Sequence, residues 1–205
     1  MPTKQLNAPQ RELYDAILRM ANVAEFREGD NRFHLGRMRR LTLVIAAGLG
    51  YQQHQAQAIS VASVLHDVGK IAIPDELLQR EGEYSDEEWV TIERHTIEGA
   101  IILNGSVAPV IKLGEEIAHS HHERWDGSGY PQGLKGDDIP MSGRICALAD
   151  VFDGLVTQRV YKDPIPEADA LQLIQSSSGV LFDPKLVDVF SQYFSEIQKI
   201  FKPRK

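Results

Sequence analysis

The sequence has little cysteine, little positive charge and no long apolar run, and each shortage excludes a class of protein. One cysteine among 205 residues excludes a disulfide framework and a thiolate zinc site. The 22 Lys and Arg residues are outnumbered by 29 Asp and Glu residues. We therefore expect no long nucleic acid as a partner, because binding it requires a net positive surface. The most apolar stretch, residues 41–49, is shorter than the ~20 residues of a membrane span, and no signal-peptide pattern is present. These features predict a cytoplasmic protein that does not enter a membrane.

Helical periodicity dominates the chain. Apolar residues recur at helical spacing in residues 10–24, 33–47, 53–66, 97–103, 110–122, 142–155, 167–177 and 184–201. Almost no stretch alternates with the two-residue period of a strand. We predict an all-α helical bundle formed by a single domain over residues 1–205. Within it we expect N-terminal helices in residues 10–50, a core in residues 51–201 and a frayed tail at residues 202–205.

Residues 123–140 interrupt this helical pattern. They contain four glycines and two prolines, which disfavour a continuous helix. Long irregular segments within compact domains usually carry function. We therefore predict a long glycine-rich loop at or near a functional site.

The adjacent pairs His66-Asp67 and His121-His122 indicate a metal site. Neighbours on a helix do not share a face, but unwinding at a helix end lets both side chains converge. The candidate donors are His34, His66, Asp67, His95, His121, His122 and Asp150. A mononuclear catalytic zinc uses about three protein ligands, so seven donors fit two divalent ions better. A lone histidine is more often a surface or core residue than a ligand, and we expect His54 and His119 to be non-ligands.

The order of these motifs resembles the HD-GYP family of metal-dependent phosphohydrolases. The matching segments are residues 66–75, His95 with Gly99, residues 121–134, residues 144–145, residues 149–153, residues 159–162 and residues 182–184. Many short motifs in a consistent order make a more specific signal than any one of them. The resemblance implies an all-helical fold with a two- or three-metal centre. It also implies hydrolysis of cyclic di-GMP to pGpG or GMP by a hydroxide that bridges the metals.

The resemblance assigns a role to each matching residue. It implies that all seven candidate donors bind metal, with Asp67 bridging. Lys70 matches a lysine near the substrate phosphate, with Asp153 as its expected partner, so the expected catalytic residues are Lys70, Asp67 and Asp153. The residues expected to bind substrate are Arg159 and Lys162, which match a phosphate-holding pair, and Gly129, Tyr130 and Pro131, which match the loop beside the base.

The number and kind of ions follow from the donors. Nitrogen and oxygen donors without thiolate suit iron, manganese, cobalt or zinc, and we favour iron or manganese. Family members with a third metal usually carry Glu four residues before the upstream histidine, where this sequence has Asp30. Aspartate is one methylene shorter, so we expect two ions and regard Asp30 as a weak third-metal ligand.

Two alternative functions keep parts of this reading. One is a hydrolase of another cyclic dinucleotide or of a nucleotide phosphate at the same metal site. The other is a non-catalytic sensor or interaction module that binds cyclic di-GMP or a diguanylate cyclase. The complete set of core ligands favours an enzyme. The partners that we consider are cyclic di-GMP, a diguanylate cyclase domain and a second copy of the chain.

Overall fold

A computed structural model describes residues 8–28, 33–80, 82–158 and 163–202. In these ranges the regular structure is helical, and the predicted all-α fold is confirmed. The α-helices are α1 (Ala8–Glu25), α2 (His34–Gly48), α3 (Gln53–Ala62), α4 (Asp75–Leu78), α5 (Asp86–Glu93), α6 (His95–Leu103), α7 (Pro109–Ala118), α8 (Met141–Val156), α9 (Glu167–Ser176), α10 (Pro184–Gln192) and α11 (Phe194–Phe201). None of the helices in these ranges combines the length and the apolar character needed to cross a bilayer.

The apolar core runs from α1 to α11 and centres on α8. Phe152 of α8 is fully buried, and its ring lies 5.0 Å from Phe190, 5.6 Å from Phe201 and 6.0 Å from Phe194, centroid to centroid. The predicted helix over residues 184–201 is divided at Tyr193 into α10 and α11. Both of the resulting helices place a phenylalanine against Phe152.

The predicted helix over residues 53–66 ends earlier than expected. The α-helix α3 stops at Ala62 and continues as the 3₁₀ helix Ser63–Leu65. Residues 66–67 form a turn, and a second 3₁₀ helix, Val68–Ala72, follows. The adjacent His66 and Asp67 thus lie where the helix has unwound, so both side chains can face one site.

A close contact between two glycines fixes the position of this turn. Gly69 packs on the start of α6, where an added Cβ would overlap the carbonyl oxygen of His95 and the backbone nitrogen of Gly99. Only a residue without a Cβ allows this approach. The contact brings the backbone of residues 66–70 against the helix that begins at His95.

The glycine-rich segment between α7 and α8 is hydrogen-bonded to the rest of the fold. The Trp125 and Asp126 amides donate to the carbonyls of Leu181 and Val180 at 3.2 and 3.0 Å. The Arg144 guanidinium lies 5.3 Å from the centre of the Trp125 ring and donates to Asp183 at 2.8 Å. The loop therefore has a defined shape beside the end of α7.

We expect Phe152→Ala to lower the free energy of unfolding by about 3–5 kcal/mol, because it leaves a cavity inside the aromatic core. Urea unfolding monitored by circular dichroism measures this loss. Phe26→Ala is the matched control, since the Phe26 side chain is 85% exposed and should change stability by less than about 0.5 kcal/mol. Equal losses in the two variants would contradict the assignment of Phe152 to the core.

Candidate metal centre

The expected ligands come from separate helices and lie mostly at helix ends. His34 begins α2, His95 begins α6, His121 and His122 follow α7, and Asp150 lies within α8. The turn with His66 and Asp67 lies between the two 3₁₀ helices. The structure therefore brings residues that are up to 116 positions apart in sequence to one region of the fold.

Four of these residues form a group that we name the Asp67 cluster, which contains Asp67, His95, His121 and His122. One possible ligand atom from each lies within 4.8 Å of the others. Asp67 Oδ1 is 3.4 Å from His95 Nε2 and 3.5 Å from His121 Nε2. These residues are buried except for His122, which is half-buried. A group of donors this close together could hold a metal ion.

A second group, the Glu25 cluster, contains Glu25, His34 and His66, again with ligand atoms within 4.8 Å of one another. His34 Nε2 is 3.7 Å from Glu25 Oε1 and 3.7 Å from Asp150 Oδ1. Asp150 therefore borders this cluster but belongs to neither group. The carboxylates of Glu25 and Asp150 thus approach the same nitrogen of His34, so that these three possible ligand atoms converge.

Asp67 connects the two clusters. Its Oδ1 faces the histidines of its own cluster, whereas its Oδ2 is 2.9 Å from His66 Nε2 of the Glu25 cluster. A carboxylate that offers one oxygen to each of two neighbouring sites has the geometry of a bridging ligand. The bridging role that the resemblance implies for Asp67 stays a prediction.

Sequence reasoning missed Glu25. The sequence pattern did contain a signal, because Glu25 continues the buried face of α1 formed by Ile17, Ala21 and Ala24. A carboxylate in that position is buried and needs a partner or a metal. Our predicted helix ended at Ala24 and so left this residue out. Asp30, the residue that we considered for a third metal, lies outside the described residues.

Backbone carbonyls orient the imidazoles of His66, His95 and His121. Their Nδ1 atoms lie 2.8 Å from the Ser63 oxygen, 2.7 Å from the Ile92 oxygen and 3.1 Å from the Ile117 and Ala118 oxygens, respectively. A proton on Nδ1 satisfies each contact, and in the neutral form of each imidazole the remaining lone pair is then on Nε2. Such contacts fix the tautomer and ring orientation of metal-binding histidines.

Unpartnered buried atoms test whether the residues fit a metal. Among the described residues, the buried side-chain atoms without a hydrogen-bond partner include both carboxylate oxygens of Glu25 and Asp67 Oδ1. Leaving such groups unpaired costs about 1–3 kcal/mol each, more where they are charged. These three oxygens belong to residues of the two clusters, in which the other possible ligand atoms are imidazole nitrogens. The residues therefore fit divalent cations.

Asp153 has a different partner from the one that we expected. We expected it to pair with Lys70, but Lys70 Nζ donates to Asp67 Oδ2 at 2.7 Å. Asp153 accepts hydrogen bonds from Arg37, one of them at 2.9 Å, and its Oδ2 lies 2.8 Å from His34 Nδ1. The reason is topological, since Asp153 lies one turn after Asp150 on α8 and faces α2. Its contacts orient His34, as a carboxylate behind a metal-binding histidine does.

The electrostatics separate the histidines into two classes. Burial lowers the pKa of His66, but the charge and hydrogen bond of Asp67 outweigh it and raise this pKa to about 9. Burial lowers the pKa of His95 to about 4, and burial with the nearby His121 and His95 holds the pKa of His122 well below its usual value. Burial opposes ionisation of Asp67, but His66 and Lys70 keep its pKa well below the usual range. His95 and His122 are therefore neutral donors at pH 7.

The Gly129-Tyr130-Pro131 segment lies beside the Asp67 cluster. The Tyr130 ring stacks on His122 with centroids 4.7 Å apart, and burial raises its pKa so that the phenol stays protonated. A Cβ at Gly129 would overlap the His122 carbonyl and the Arg124 amide. The buried Glu123 carboxylate accepts from the amides of Gln132 and Leu134 at 2.8 and 2.9 Å. These contacts fix the segment at the edge of the site.

Two expected substrate-binding residues and two histidines expected not to bind metal remain. Arg159 and Lys162 lie outside the described residues, so their phosphate-binding role stays a prediction. His54 is exposed on α3, and His119 Nδ1 lies 3.4 Å from Gln132 Nε2. Neither histidine belongs to a group that could hold an ion among the described residues.

Comparison with known proteins identifies a family whose sequence pattern this chain matches. The profile of the HD domain family matches residues 12–186. The chain is similar to a cyclic di-GMP phosphodiesterase of Thermotoga maritima, with 40% identity over 94% of this chain and 52% of that protein. It is also similar to a 3'3'-cGAMP-specific phosphodiesterase 2 of Vibrio cholerae, with 41% identity over 89% of this chain and 35% of that protein. The chain thus spans about half the length of these relatives, or less.

A solved structure supports the fold alone. The crystal structure of a cyclic GMP-AMP-specific phosphodiesterase of Vibrio cholerae aligns with a TM-score of 0.61 at 24% identity. The alignment covers 93% of this chain and 53% of that one. The helical arrangement described above is therefore shared with that enzyme.

We expect His95→Gln to weaken the pH dependence of stability in chelator-treated protein. Because the pKa of His95 is about 4 when folded and about 6.5 when unfolded, the unfolded chain binds more protons between these values. Stability therefore falls as the pH is lowered from about 6.5 to 4, by about 3 kcal/mol for this residue. Urea unfolding at pH 7 and pH 4 measures the difference. The control is His54→Gln, which should keep the wild-type dependence; a His95→Gln variant that also keeps it would contradict the prediction.

Proposed function

The chain belongs to the HD domain family, in its HD-GYP subgroup, and from this we propose that it is a metal-dependent phosphodiesterase that hydrolyses cyclic di-GMP. One observation carries the proposal, namely that the Asp67 and Glu25 clusters lie side by side, with the Asp67 carboxylate next to His66 of the Glu25 cluster. Such paired sites are a recurrent design for cleaving phosphodiesters. The names of the relatives, which act on cyclic dinucleotides, support the substrate class.

Two divalent ions would occupy the two clusters. In this proposal the Asp67 cluster holds one ion, and Glu25, His34 and His66 hold the other with Asp150 beside them. Asp67 would offer a carboxylate oxygen to each ion, as the resemblance implies. The donors are imidazoles and carboxylates, and we favour iron or manganese. When bound, such ions supply hydroxide near neutral pH and positive charge for the phosphate.

The residues of the chain position the substrate around these sites. The Lys70 side chain is 15% exposed, and its Nζ lies 2.7 Å from Asp67 Oδ2. In this proposal its ammonium group meets a phosphate oxygen and delivers a proton to the leaving oxygen. Asp153 acts through His34 and does not touch the substrate. The protonated Tyr130 hydroxyl, on the segment with Gly129 and Pro131, donates a hydrogen bond to the ligand near its base.

A second substrate is favoured by a specific observation. The Vibrio cholerae relative named for 3'3'-cGAMP is as similar to this chain as the relative named for cyclic di-GMP, at 41% and 40% identity. The two molecules have the same phosphodiester ring and differ in one base. The same metal centre therefore serves either substrate, and the base-binding contacts decide between them.

We expect the double variant His66→Ala and Asp67→Ala to lose cyclic di-GMP turnover by about a thousandfold or more, because both clusters lose a donor. Protein purified without oxygen and supplied with iron or manganese is assayed by separating pGpG and GMP from substrate. His54→Ala is the matched control and should keep wild-type turnover.

The outcome of this assay also separates the alternative functions. Faster turnover of 3'3'-cGAMP than of cyclic di-GMP would assign 3'3'-cGAMP as the preferred substrate and leave the proposed mechanism unchanged. Stoichiometric binding of cyclic di-GMP without turnover, whether iron or manganese is supplied, would contradict catalysis and indicate a sensor.

We expect Glu25→Gln to reduce the bound metal from two ions per chain to one. The amide keeps the shape of the side chain but lacks the charge that a cation site needs, while the Asp67 cluster stays complete. Metal analysis by mass spectrometry after dialysis measures the ratio. Glu12→Gln, which alters an exposed carboxylate on the same helix, is the control. Retention of two ions in Glu25→Gln would remove Glu25 from the ligand set.

A further inference from the structure

We propose that Arg27, paired with Asp75, is a positioning residue that fixes the backbone from which Lys70 reaches the metal centre. The inference rests on the proposed function, since it assigns a task to residues that serve Lys70. It also assigns a role to Asp75, which ends the matching segment over residues 66–75 and belongs to neither metal cluster.

All three guanidinium nitrogens of Arg27 donate hydrogen bonds across a gap of more than forty residues in sequence. Nη1 donates to the Lys70 carbonyl at 2.7 Å, and Nη2 donates to the Ile73 carbonyl at 2.7 Å. Nε and Nη2 donate to Asp75 Oδ1 at 3.0 and 2.6 Å. The rigid planar fork of arginine suits such a set of contacts, which a lysine cannot reproduce.

The backbone at Lys70 needs an external support. Lys70 lies in the 3₁₀ helix Val68–Ala72, and such short helices have poor hydrogen-bond geometry. The side chain is a flexible four-carbon stem, so the position of its ammonium depends on a fixed starting point. Arg27 supplies that point by binding the carbonyl of Lys70 itself, while Lys70 Nζ binds Asp67 Oδ2.

The same residue joins the two halves of the metal centre. Arg27 follows Glu25 by two positions, in the 3₁₀ helix Phe26–Glu28 that extends α1. Its side chain therefore ties the end of α1, which carries Glu25, to the segment that carries Asp67 and Lys70.

The contacts of Arg27 exceed those of an ordinary surface ion pair. Asp75 is 61% exposed at its side chain, and an exposed pair contributes little by itself. Arg27 is 23% exposed and also satisfies two backbone carbonyls. The exposed carboxylate of Asp75 orients the guanidinium, and the carbonyl contacts carry the effect on Lys70.

The first test compares Arg27→Met in two backgrounds of the metal-loaded enzyme, wild type and Lys70→Met. If Arg27 acts through Lys70, we expect kcat to fall about tenfold in the wild-type background, with KM changed less than about threefold. In the Lys70→Met background the same substitution should lower kcat by less than about twofold, because residues that share a task are not additive. Asp75→Asn, which leaves both carbonyl contacts possible, should lower kcat by only about threefold.

Arg40→Met is the matched control. Arg40 also donates to backbone carbonyls, those of Ile200 and Lys199 at 3.0 and 3.4 Å, but these lie on α11. Arg40→Met should leave kcat within about twofold of wild type. An equal loss from Arg27→Met in both backgrounds would overturn the proposal, and so would unchanged kcat.

A second readout does not depend on turnover. Amide hydrogen exchange in the folded protein should accelerate at residues 68–73 in Arg27→Met and stay at the wild-type rate there in Arg40→Met. Unchanged exchange in this segment would overturn the positioning role even for an active enzyme. If wild-type protein turns over no cyclic dinucleotide, the proposed function fails, while faster exchange in residues 68–73 still supports the fixation of Lys70 by Arg27.

Discussion

The structure depends on the placement of one buried carboxylate, that of Asp67, between two groups of donors. Burying an anion is costly unless it is paired, and Asp67 is buried against His66, His95, His121 and Lys70. The turn that carries it can reach this place because Gly69 lies against the start of α6 without a Cβ between them. A backbone contact between two glycines thus determines where the charge sits and which histidines surround it.

Helix ends serve the site in two ways. They let adjacent residues such as His66 and Asp67 or His121 and His122 face the same region, and carbonyls near these ends lie within hydrogen-bond distance of histidine side chains. His66, His95 and His121 use carbonyls three or four residues earlier to hold their Nδ1 atoms. The orientation of these ligands is therefore local in sequence, whereas their convergence is tertiary. His34 is the exception, because its orientation comes from Asp153 on α8.

This difference explains what the sequence could and could not predict. Periodicity located most of the helices, and the paired motifs singled out His66, His121 and His122, since both signals are local. The roles of His34 and His95 came from the resemblance to a family. The sequence did not predict that Asp153 would face His34 and Arg37, because the relative rotation of α2 and α8 is set by packing. Glu25 was within reach, since a carboxylate in the apolar phase of α1 is a local anomaly. The expected number of ions depends on groups that are not part of the chain. The substrate contacts expected of Arg159 and Lys162 depend on residues outside the described ranges.

The charge balance of the site determines how an acidic protein binds an anionic substrate. Within the described residues the carboxylates at the clusters are Glu25, Asp67, Asp150 and Asp153, and the nearby cationic side chains include Lys70 and Arg37. One of these cations, Arg37, is paired with Asp153 and is not directed at the substrate. A phosphodiester approaching these side chains alone would meet net negative charge and be repelled. In the proposed function, cations in the two clusters would reverse that sign, so the ions that supply hydroxide would also decide whether the substrate binds. Substrate affinity and metal content should therefore vary together.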